Sequence, residues 1–258
     1  MELRGAVAVV TGASAGIGEV TSVLLAREGA AVVLAARRIE RLEAIARAIE
    51  RRGGRALPVS LDVADAGQVA RLPALVEEAF GRCDVLVNNA GIPGGGRFAE
   101  ASPEGIEQVV RVNLLGVMLC TKALLPLLDR DGGGHVVNVG SLAGRFAAPG
   151  ASVYSATKHG VVAFSEALFH ELAPRGVLVT AVNPGFVRTE RFPSVAVHPR
   201  FVMDPWRVGR AIVRVIRDGI APEYSIPRWV APFQAFRVLT PPLYRWGVRT
   251  ATRRMHRG

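Results

Sequence analysis

The sequence predicts an α/β fold in which one doubly wound parallel sheet of about seven strands is flanked by helices. Short runs rich in Val, Ile and Ala alternate regularly with helix-length segments. The runs are apolar at consecutive positions, which is typical of parallel strands that are buried on both faces. A glycine-rich turn follows the first run, at the place where a Rossmann-type sheet binds its ligand.

The strand predictions rest on these apolar runs and on the turn-forming residues that bound them. The predicted strands are Ala6–Thr11, Ala31–Ala36, Ala56–Ser60, Val85–Asn88, His135–Val139, Leu178–Val182 and Tyr224–Ile226. Helices are predicted between them, at about 16–28, 38–52, 66–80, 103–128, 152–173 and 205–218. Asp65, Ser102 and Asp204 are the expected N-cap residues, and a proline follows each of the last two.

Two segments interrupt the alternation. Residues 185–203 follow the sixth strand, where loops form the ligand crevice, and we expect them to be a substrate lid. The lid mixes apolar residues with arginines: Phe186, Phe192, Val195, Val197 and Phe201 with Arg188, Arg191 and Arg200. We therefore expect one main domain at 1–226, which includes this lid, and a basic, aromatic extension at 227–258.

The net charge of +10 comes almost entirely from arginine, since Lys122 and Lys158 are the only lysines. Seven arginines and no acidic residue follow Glu223. Because no recognised nucleic-acid motif accompanies this charge, nucleic acid is not an expected partner. The aromatic and basic extension favours either packing against this subunit or a neighbour, or peripheral contact with an anionic membrane surface.

The sequence shows neither a secretory signal nor an uninterrupted apolar span of about 20 residues, so a cytoplasmic protein is expected. Cys83 and Cys120 lack metal-ligand spacing and are expected to be buried apolar side chains. No metal site is predicted.

The glycine-rich turn predicts a dinucleotide site. Gly12, Gly16 and Gly18 allow a tight turn, so that a pyrophosphate can lie on the N-terminus of the first helix. Small residues at a strand–helix turn also occur for steric reasons alone. The predicted contacts of this turn are Gly12, Ser14, Ala15, Gly16, Ile17 and Gly18.

The end of the second strand indicates the type of dinucleotide. An acid there would bind the ribose hydroxyls of NAD, but the strand runs into Arg37 and Arg38. Arg37 is expected to meet a 2′-phosphate, which favours NADP(H) over NAD(H). The alternative is that both arginines merely begin a solvated helix. Small and polar residues after the next two strands are predicted to admit the adenosine: Asp62, Val63, Asn89, Ala90 and Gly91.

Tyr154 and Lys158 are four positions apart in a predicted helix, so both side chains lie on one face. An adjacent ammonium lowers the pKa of a phenol, which can then act as a general acid or base. Ser141 follows the fifth strand, where its hydroxyl can bond the reacting oxygen. Taken alone, a Tyr and Lys at this spacing are more often an ordinary surface pair.

Together these motifs resemble the classical short-chain dehydrogenase/reductase family over about residues 5–220. The resemblance rests on Thr-Gly-x-x-x-Gly-Ile-Gly at 11–18, Asn-Asn-Ala-Gly at 88–91, Ser141, Tyr154-x-x-x-Lys158 and Asn183-Pro184-Gly185. It implies that Asn113 completes a catalytic tetrad and helps to hold a proton-relaying water. It also implies that Lys158 bonds the nicotinamide ribose, and that four residues line the nicotinamide: Pro184, Gly185, Val187 and Thr189.

The resemblance implies an NADP(H)-dependent oxidoreductase that acts on a carbonyl or secondary alcohol and forms a homodimer or homotetramer. One departure is Ala15, because many NADP-preferring members have a basic residue there. A non-catalytic NADP sensor is the alternative, although such a protein would usually have lost Tyr154 or Lys158. A sugar-nucleotide epimerase or dehydratase normally needs a larger substrate region. A hydrophobic ketone, a steroid-like alcohol and an acyl carrier fit the lid equally well.

Overall fold

The computed structural model describes residues 1–94, 96–130, 132–147, 149–190 and 198–243. Seven parallel strands form one sheet in the order β3-β2-β1-β4-β5-β6-β7, which confirms the predicted fold class. The strands are β1 Val7–Thr11, β2 Ala31–Ala36, β3 Arg55–Ser60, β4 Val85–Asn88, β5 His135–Val139, β6 Leu178–Pro184 and β7 Glu223–Ile226.

Helices lie on both faces of the sheet. They are α1 Gly16–Arg27, α2 Ile39–Glu50, α3 Ala66–Phe80, α4 Pro103–Val110, α5 Gly116–Leu128, α6 Ser152–Leu172, α7 Pro205–Asp218 and α8 Ala231–Leu239. The apolar faces of α1, α2 and α7 form one core, and those of α3, α5 and α6 form the other. Strand β1 contributes side chains to both cores, since Ala8 and Val10 face the first core while Val7 and Val9 face the second.

The three predicted N-caps are confirmed. The Asp65 carboxylate accepts a hydrogen bond from the Gln68 amide, and the Ser102 hydroxyl accepts one from Gly105. The Asp204 carboxylate accepts one from the Trp206 amide. These bonds satisfy N–H groups that have no partner inside their own helices.

The predicted helix at 103–128 is not uniform, because a π-helical turn at Arg111–Leu115 separates α4 from α5. By length and composition alone, the whole stretch Pro103–Leu128 is apolar enough to cross a membrane. The absence of an apolar run without interruption therefore did not exclude such a helix. Its buried side chains, including Val117, Cys120 and Leu124, pack in the core beside the sheet. A core helix of this length and composition passes the same test as a membrane-spanning one.

The extension contains more structure than the sequence predicted. A 3-10 turn at Arg228–Val230 leads into α8, although no helix was predicted beyond residue 218. Aromatic residues that recur at helical spacing were the local signal for this helix. The tail residues from Tyr244 onward lie outside the described part, and so do Arg191, Phe192, Val195 and Val197 of the predicted lid.

Candidate active site

The candidate site lies at the carboxyl ends of the strands, where the sheet order reverses between β1 and β4. Crossover helices leave in opposite directions at such a point and open a crevice. The glycine turn follows β1, Asn89 to Gly91 follow β4, and Ser141 lies just beyond β5. The topology therefore brings together motifs that are widely separated along the chain.

The glycine turn has the backbone and the packing that a pyrophosphate site requires. Gly12 and Gly16 have φ of 65° and 59°, a region that favours glycine. A methyl group at Gly18 would lie 2.4 Å from the Gly12 carbonyl oxygen and 2.5 Å from Asn89 Nδ2. Helix α1 begins at Gly16, so its first N–H groups face the turn. A dinucleotide phosphate fits this cradle.

Asn89 fixes the position of the turn relative to β4. Its Nδ2 donates to the Thr11 carbonyl at 3.0 Å and to the Gly12 carbonyl at 3.2 Å. The Thr11 hydroxyl in turn accepts from the Asn89 and Ala90 amides. Asn89 therefore fixes the shape of the glycine turn.

The two arginines after β2 have different surroundings. Arg38 lies at the glycine turn, where its Nη2 is 3.2 Å from the Ser14 hydroxyl and 3.4 Å from the Ser14 carbonyl oxygen. Arg37 lies further out, and its Nη1 is 3.9 Å from the Asp62 carboxylate. The sequence predicted that Arg37 would meet a 2′-phosphate, whereas the structure places Arg38 beside the turn.

Arg37 and Asp62 border a cavity of about 260 Å³ between the ends of β2 and β3 and helix α4. Its other lining residues are Ala64, Glu104, Glu107, Gln108, Arg111 and Val112. The Asp62 carboxylate accepts a hydrogen bond from the Ala64 amide at 3.0 Å, which orients it at the cavity wall. Val63 is buried and packs against Gly116 instead.

Ser141 and Tyr154 are joined directly, since their side chains form a hydrogen bond. Burial raises the pKa of Tyr154, and the bond from Ser141 opposes that shift. The sequence predicted a lowered pKa from the neighbouring lysine, and that direction was wrong for this structure. The cost of placing a phenolate away from water is the larger effect here.

Lys158 is buried, and its ammonium donates a hydrogen bond of 2.8 Å to the Val139 carbonyl. Its Nζ lies 5.8 Å from the centre of the Tyr154 ring, so the two side chains share one side of α6 as predicted. Burial lowers the pKa of Lys158 to about 8. The lysine thus keeps its charge at neutral pH but can lose it within a mildly alkaline range.

Asn113 is fully buried in the π-helical turn. Its amide bonds the backbone of Ile92 twice, accepting at 2.8 Å and donating at 2.9 Å. A β-carbon at Gly91 would lie 3.4 Å from Asn113 Oδ1 and 3.9 Å from Lys158 Nζ. Asn113 and Lys158 therefore both lie close to Gly91. π turns such as the one that contains Asn113 are frequent at functional sites.

The first part of the predicted lid lies over the glycine turn. The Gly185 amide donates to the Ile226 carbonyl, and a methyl at Gly16 would lie 3.1 Å from Thr189 Cγ2. The two ends of the predicted lid are paired, because the Arg188 amide donates to the Met203 carbonyl and the Met203 amide donates to the Phe186 carbonyl. Val187 is buried in this pairing. Pro184 ends β6, two residues later than predicted.

A model of the short chain dehydrogenase family matches residues 6–198. The chain belongs to the short-chain dehydrogenase family. It is 40% identical over 198 residues to a 3-oxoacyl-[acyl-carrier-protein] reductase of Synechocystis, covering 76% of this chain and 80% of the relative.

Two solved structures are similar over most of their length. A short-chain dehydrogenase/reductase of Burkholderia phymatum in complex with NAD has a TM-score of 0.85 and 27% identity, covering 94% of this chain and 96% of that one. A variant of the actinorhodin polyketide ketoreductase with NADPH has a TM-score of 0.80 and 36% identity, covering 86% of this chain and 95% of the ketoreductase chain.

One residue near the site of this short-chain dehydrogenase was not found by sequence reasoning. Glu190 forms ion pairs with Arg38, at 3.0 Å, and with Arg41, at 3.3 Å. It is distant from both arginines in sequence, and a single acid in a loop has no distinguishing pattern. Only the fold brings it to the glycine turn.

A polar network around Glu223 joins β6, β7 and α8. Glu223 on β7 accepts hydrogen bonds from Arg145, from Asn183 Nδ2 at 2.7 Å and from Gln234. Asn183 thus links the strand before the lid to β7 and α8. Among the described residues, no group of three or more His, Cys, Asp or Glu side chains could hold a metal ion.

Proposed function

We propose that this protein is an NADP(H)-dependent oxidoreductase that interconverts a ketone and a secondary alcohol. The observation that carries the proposal is the hydrogen bond between Ser141 and Tyr154, with Lys158 on the same side of α6. This group lies at the same edge of the sheet as the glycine turn. A proton donor is thereby placed beside a dinucleotide cradle, which is what carbonyl reduction requires.

The roles follow from the surroundings of each side chain. A raised pKa keeps the Tyr154 phenol protonated at neutral pH, so it is suited to donate its proton to a developing alkoxide. Ser141 bonds the same oxygen and orients it. Lys158 supplies a charge close to the phenol and a donor for a ribose hydroxyl, while Asn113 shapes the π turn from which a water relay can run. The bound nicotinamide supplies or accepts the hydride.

The preference for NADP(H) rests on Arg38 rather than on Arg37 alone. Arg38 is held at the glycine turn by Ser14, so its guanidinium is preorganised for a phosphate on the adenosine ribose. The solved relatives with NAD and with NADPH are both compatible with this fold. The preference must therefore come from the local charge at the end of β2.

A 3-oxoacyl group is the substrate class that we favour. The Synechocystis relative is named for 3-oxoacyl reduction and the actinorhodin relative for polyketide ketoreduction. The described lid contributes Phe186 and Phe201, both exposed, together with Arg188 and Arg200. Apolar side chains suit an acyl chain, and cations suit an acidic carrier.

The test is NADPH consumption by the purified protein with acetoacetyl thioesters and a panel of simple ketones. Tyr154→Phe should lower kcat by about two to four orders of magnitude, because the proton donor is lost. Tyr224→Phe is the matched control, since Tyr224 contacts Arg228 and lies outside the catalytic group. Full activity of Tyr154→Phe would exclude this mechanism. NADPH binding without turnover on any ketone would favour the sensor.

Two further properties belong to this proposal. We propose a homodimer or homotetramer, as the family resemblance implies, and a location in the cytoplasm. Light scattering of the purified protein measures the first, and cell fractionation measures the second.

A further inference from the structure

The turn after β5 carries Ser141 and lies against helix α6. The Ser141 hydroxyl accepts a hydrogen bond of 3.1 Å from the Ala143 amide, which ties this side chain to the 3-10 turn that follows it. A methyl group at Gly144 would lie only 2.5 Å from the Lys158 carbonyl oxygen, so the turn packs directly on α6. Because the Ser141 side chain also bonds Tyr154, a shift of the turn would disturb that bond.

The far end of this turn is held by an ion pair with the last strand. The Arg145 guanidinium donates to both oxygens of the Glu223 carboxylate on β7, with its Nε 2.9 Å from Oε1. A fork of this kind adds both strength and a fixed geometry. The two side chains are only 27% and 21% exposed, so water and salt screen this pair less than a surface pair.

Glu223 also acts on the residue that precedes Ser141. Asn183 Nδ2 donates to the Glu223 carboxylate at 2.7 Å. The other end of this amide lies against the backbone before Ser141, where a β-carbon at Gly140 would collide with Asn183 Oδ1. Glu223 therefore holds the chain both before and after Ser141.

Helix α8 completes this network through Arg237. The Arg237 guanidinium donates to the Arg145 carbonyl, and it lies 2.9 Å from His159 Nε2. His159 Nδ1 lies 2.8 Å from the Ser155 carbonyl, which can only accept, so Nδ1 carries the proton and Nε2 accepts from Arg237. Arg237 therefore joins the turn after β5 to the helix that carries the phenol and the ammonium.

We propose that Arg145 and Arg237 are positioning residues, through which β7 and α8 hold the Ser141 hydroxyl at the Tyr154 phenol. This inference rests on the proposed function, because it gives the network a part in that reaction. Strand β1, which leads into the glycine turn, is separated from β7 by three strands of the sheet. The affinity for the coenzyme should therefore not depend on the network.

Steady-state kinetics with NADPH and acetoacetyl thioesters test the positioning role. Arg237→Met should lower kcat about tenfold to a hundredfold, because a small displacement of a reacting group is costly, and should keep the Kd for NADPH of the parent. Arg228→Met is the matched control, since it removes an arginine of the same segment that contacts Tyr224 instead. It should keep the kcat of the parent, and thermal melts should show that both variants are folded.

A double-mutant cycle with Ser141→Ala distinguishes positioning from general stabilisation. Ser141→Ala alone should lower kcat by about two orders of magnitude, because a donor to the reacting oxygen is lost. If Arg237 acts through the Ser141 hydroxyl, Arg237→Met should cost little more once that hydroxyl is absent. Equal losses with and without the hydroxyl, or a parent-like kcat in Arg237→Met, would overturn the proposal.

Hydrogen exchange followed by mass spectrometry tests the network without catalysis. Residues 141–146, whose amides close the 3-10 turn, should exchange faster in Arg237→Met and in Glu223→Gln, but not in Arg228→Met. Residues 12–18 of the glycine turn should exchange as in the parent. Unchanged exchange at 141–146 would overturn the proposal whatever the activity. A parent that shows the expected exchange but reduces no ketone would refute the proposed function and leave the network in place.

Discussion

Replacing Glu190 with glutamine is expected to tighten the binding of NADPH without tightening the binding of NADH. Glu190 Oε2 lies 3.0 Å from Arg38 Nη1, and its other oxygen lies 3.3 Å from Arg41 Nη2. A ribose 2′-phosphate that binds Arg38 must compete with this carboxylate. In Glu190→Gln the competitor loses its charge, while its size and its contacts with the lid are nearly kept.

The size of the effect follows from the exposure of the pair. The Arg38 and Glu190 side chains are 42% and 46% exposed, so their ion pair is a surface one. Such pairs contribute about 0.2–1 kcal/mol, which corresponds to a decrease of up to about fivefold in the Kd for NADPH. Arg38→Ala should act in the opposite direction and raise that Kd by about tenfold to a hundredfold, because a charge-assisted bond is lost.

Titration calorimetry with NADPH and NADH measures both changes. Glu43→Gln is the matched control, since Glu43 forms an exposed ion pair with Arg47 on the same helix as Arg41. The reasoning is refuted if Glu190→Gln leaves the Kd for NADPH unchanged, or if Arg38→Ala weakens both coenzymes equally. In the second case Arg38 would support the turn rather than recognise a phosphate.

Three other predictions concern Lys158, a buried histidine and the glycine turn. For ketone reduction, kcat/KM should fall as pH rises through about 8, where Lys158 loses its proton. Lys158→Arg should remove this fall, and a variant with the same pH profile as the parent would contradict the role of Lys158. Burial lowers the pKa of His135 to about 4, below its ordinary value of about 6.5, so the unfolded chain binds more protons between these values. The free energy of unfolding should therefore rise by roughly 3 kcal/mol from pH 4 to 6.5, measured by urea titration, and His135→Gln should lose this rise. Gly18→Ala should lower stability by about 1–3 kcal/mol, because its methyl would lie 2.4 Å from the Gly12 carbonyl oxygen. Gly67→Ala, whose methyl would approach only Asp65 at 3.3 Å, is the control in thermal melts.

Local chemistry explains why the sequence predicted so much of the fold. The apolar runs became strands with small changes at their ends, and Asp65, Ser102 and Asp204 became N-caps. Each of these features depends on neighbours within a few residues, so the chain itself contains the information. The spacing of Tyr154 and Lys158 on α6 was predictable for the same reason.

Contacts between distant segments were decided only by the tertiary structure. The sequence could not distinguish Arg37 from Arg38, because the direction of each side chain depends on how β2 meets the glycine turn. Glu190 reaches Arg38 across 152 positions of sequence. Burial determines the raised pKa of Tyr154 and the lowered pKa of Lys158, and burial is a property of the packed fold rather than of any local pattern.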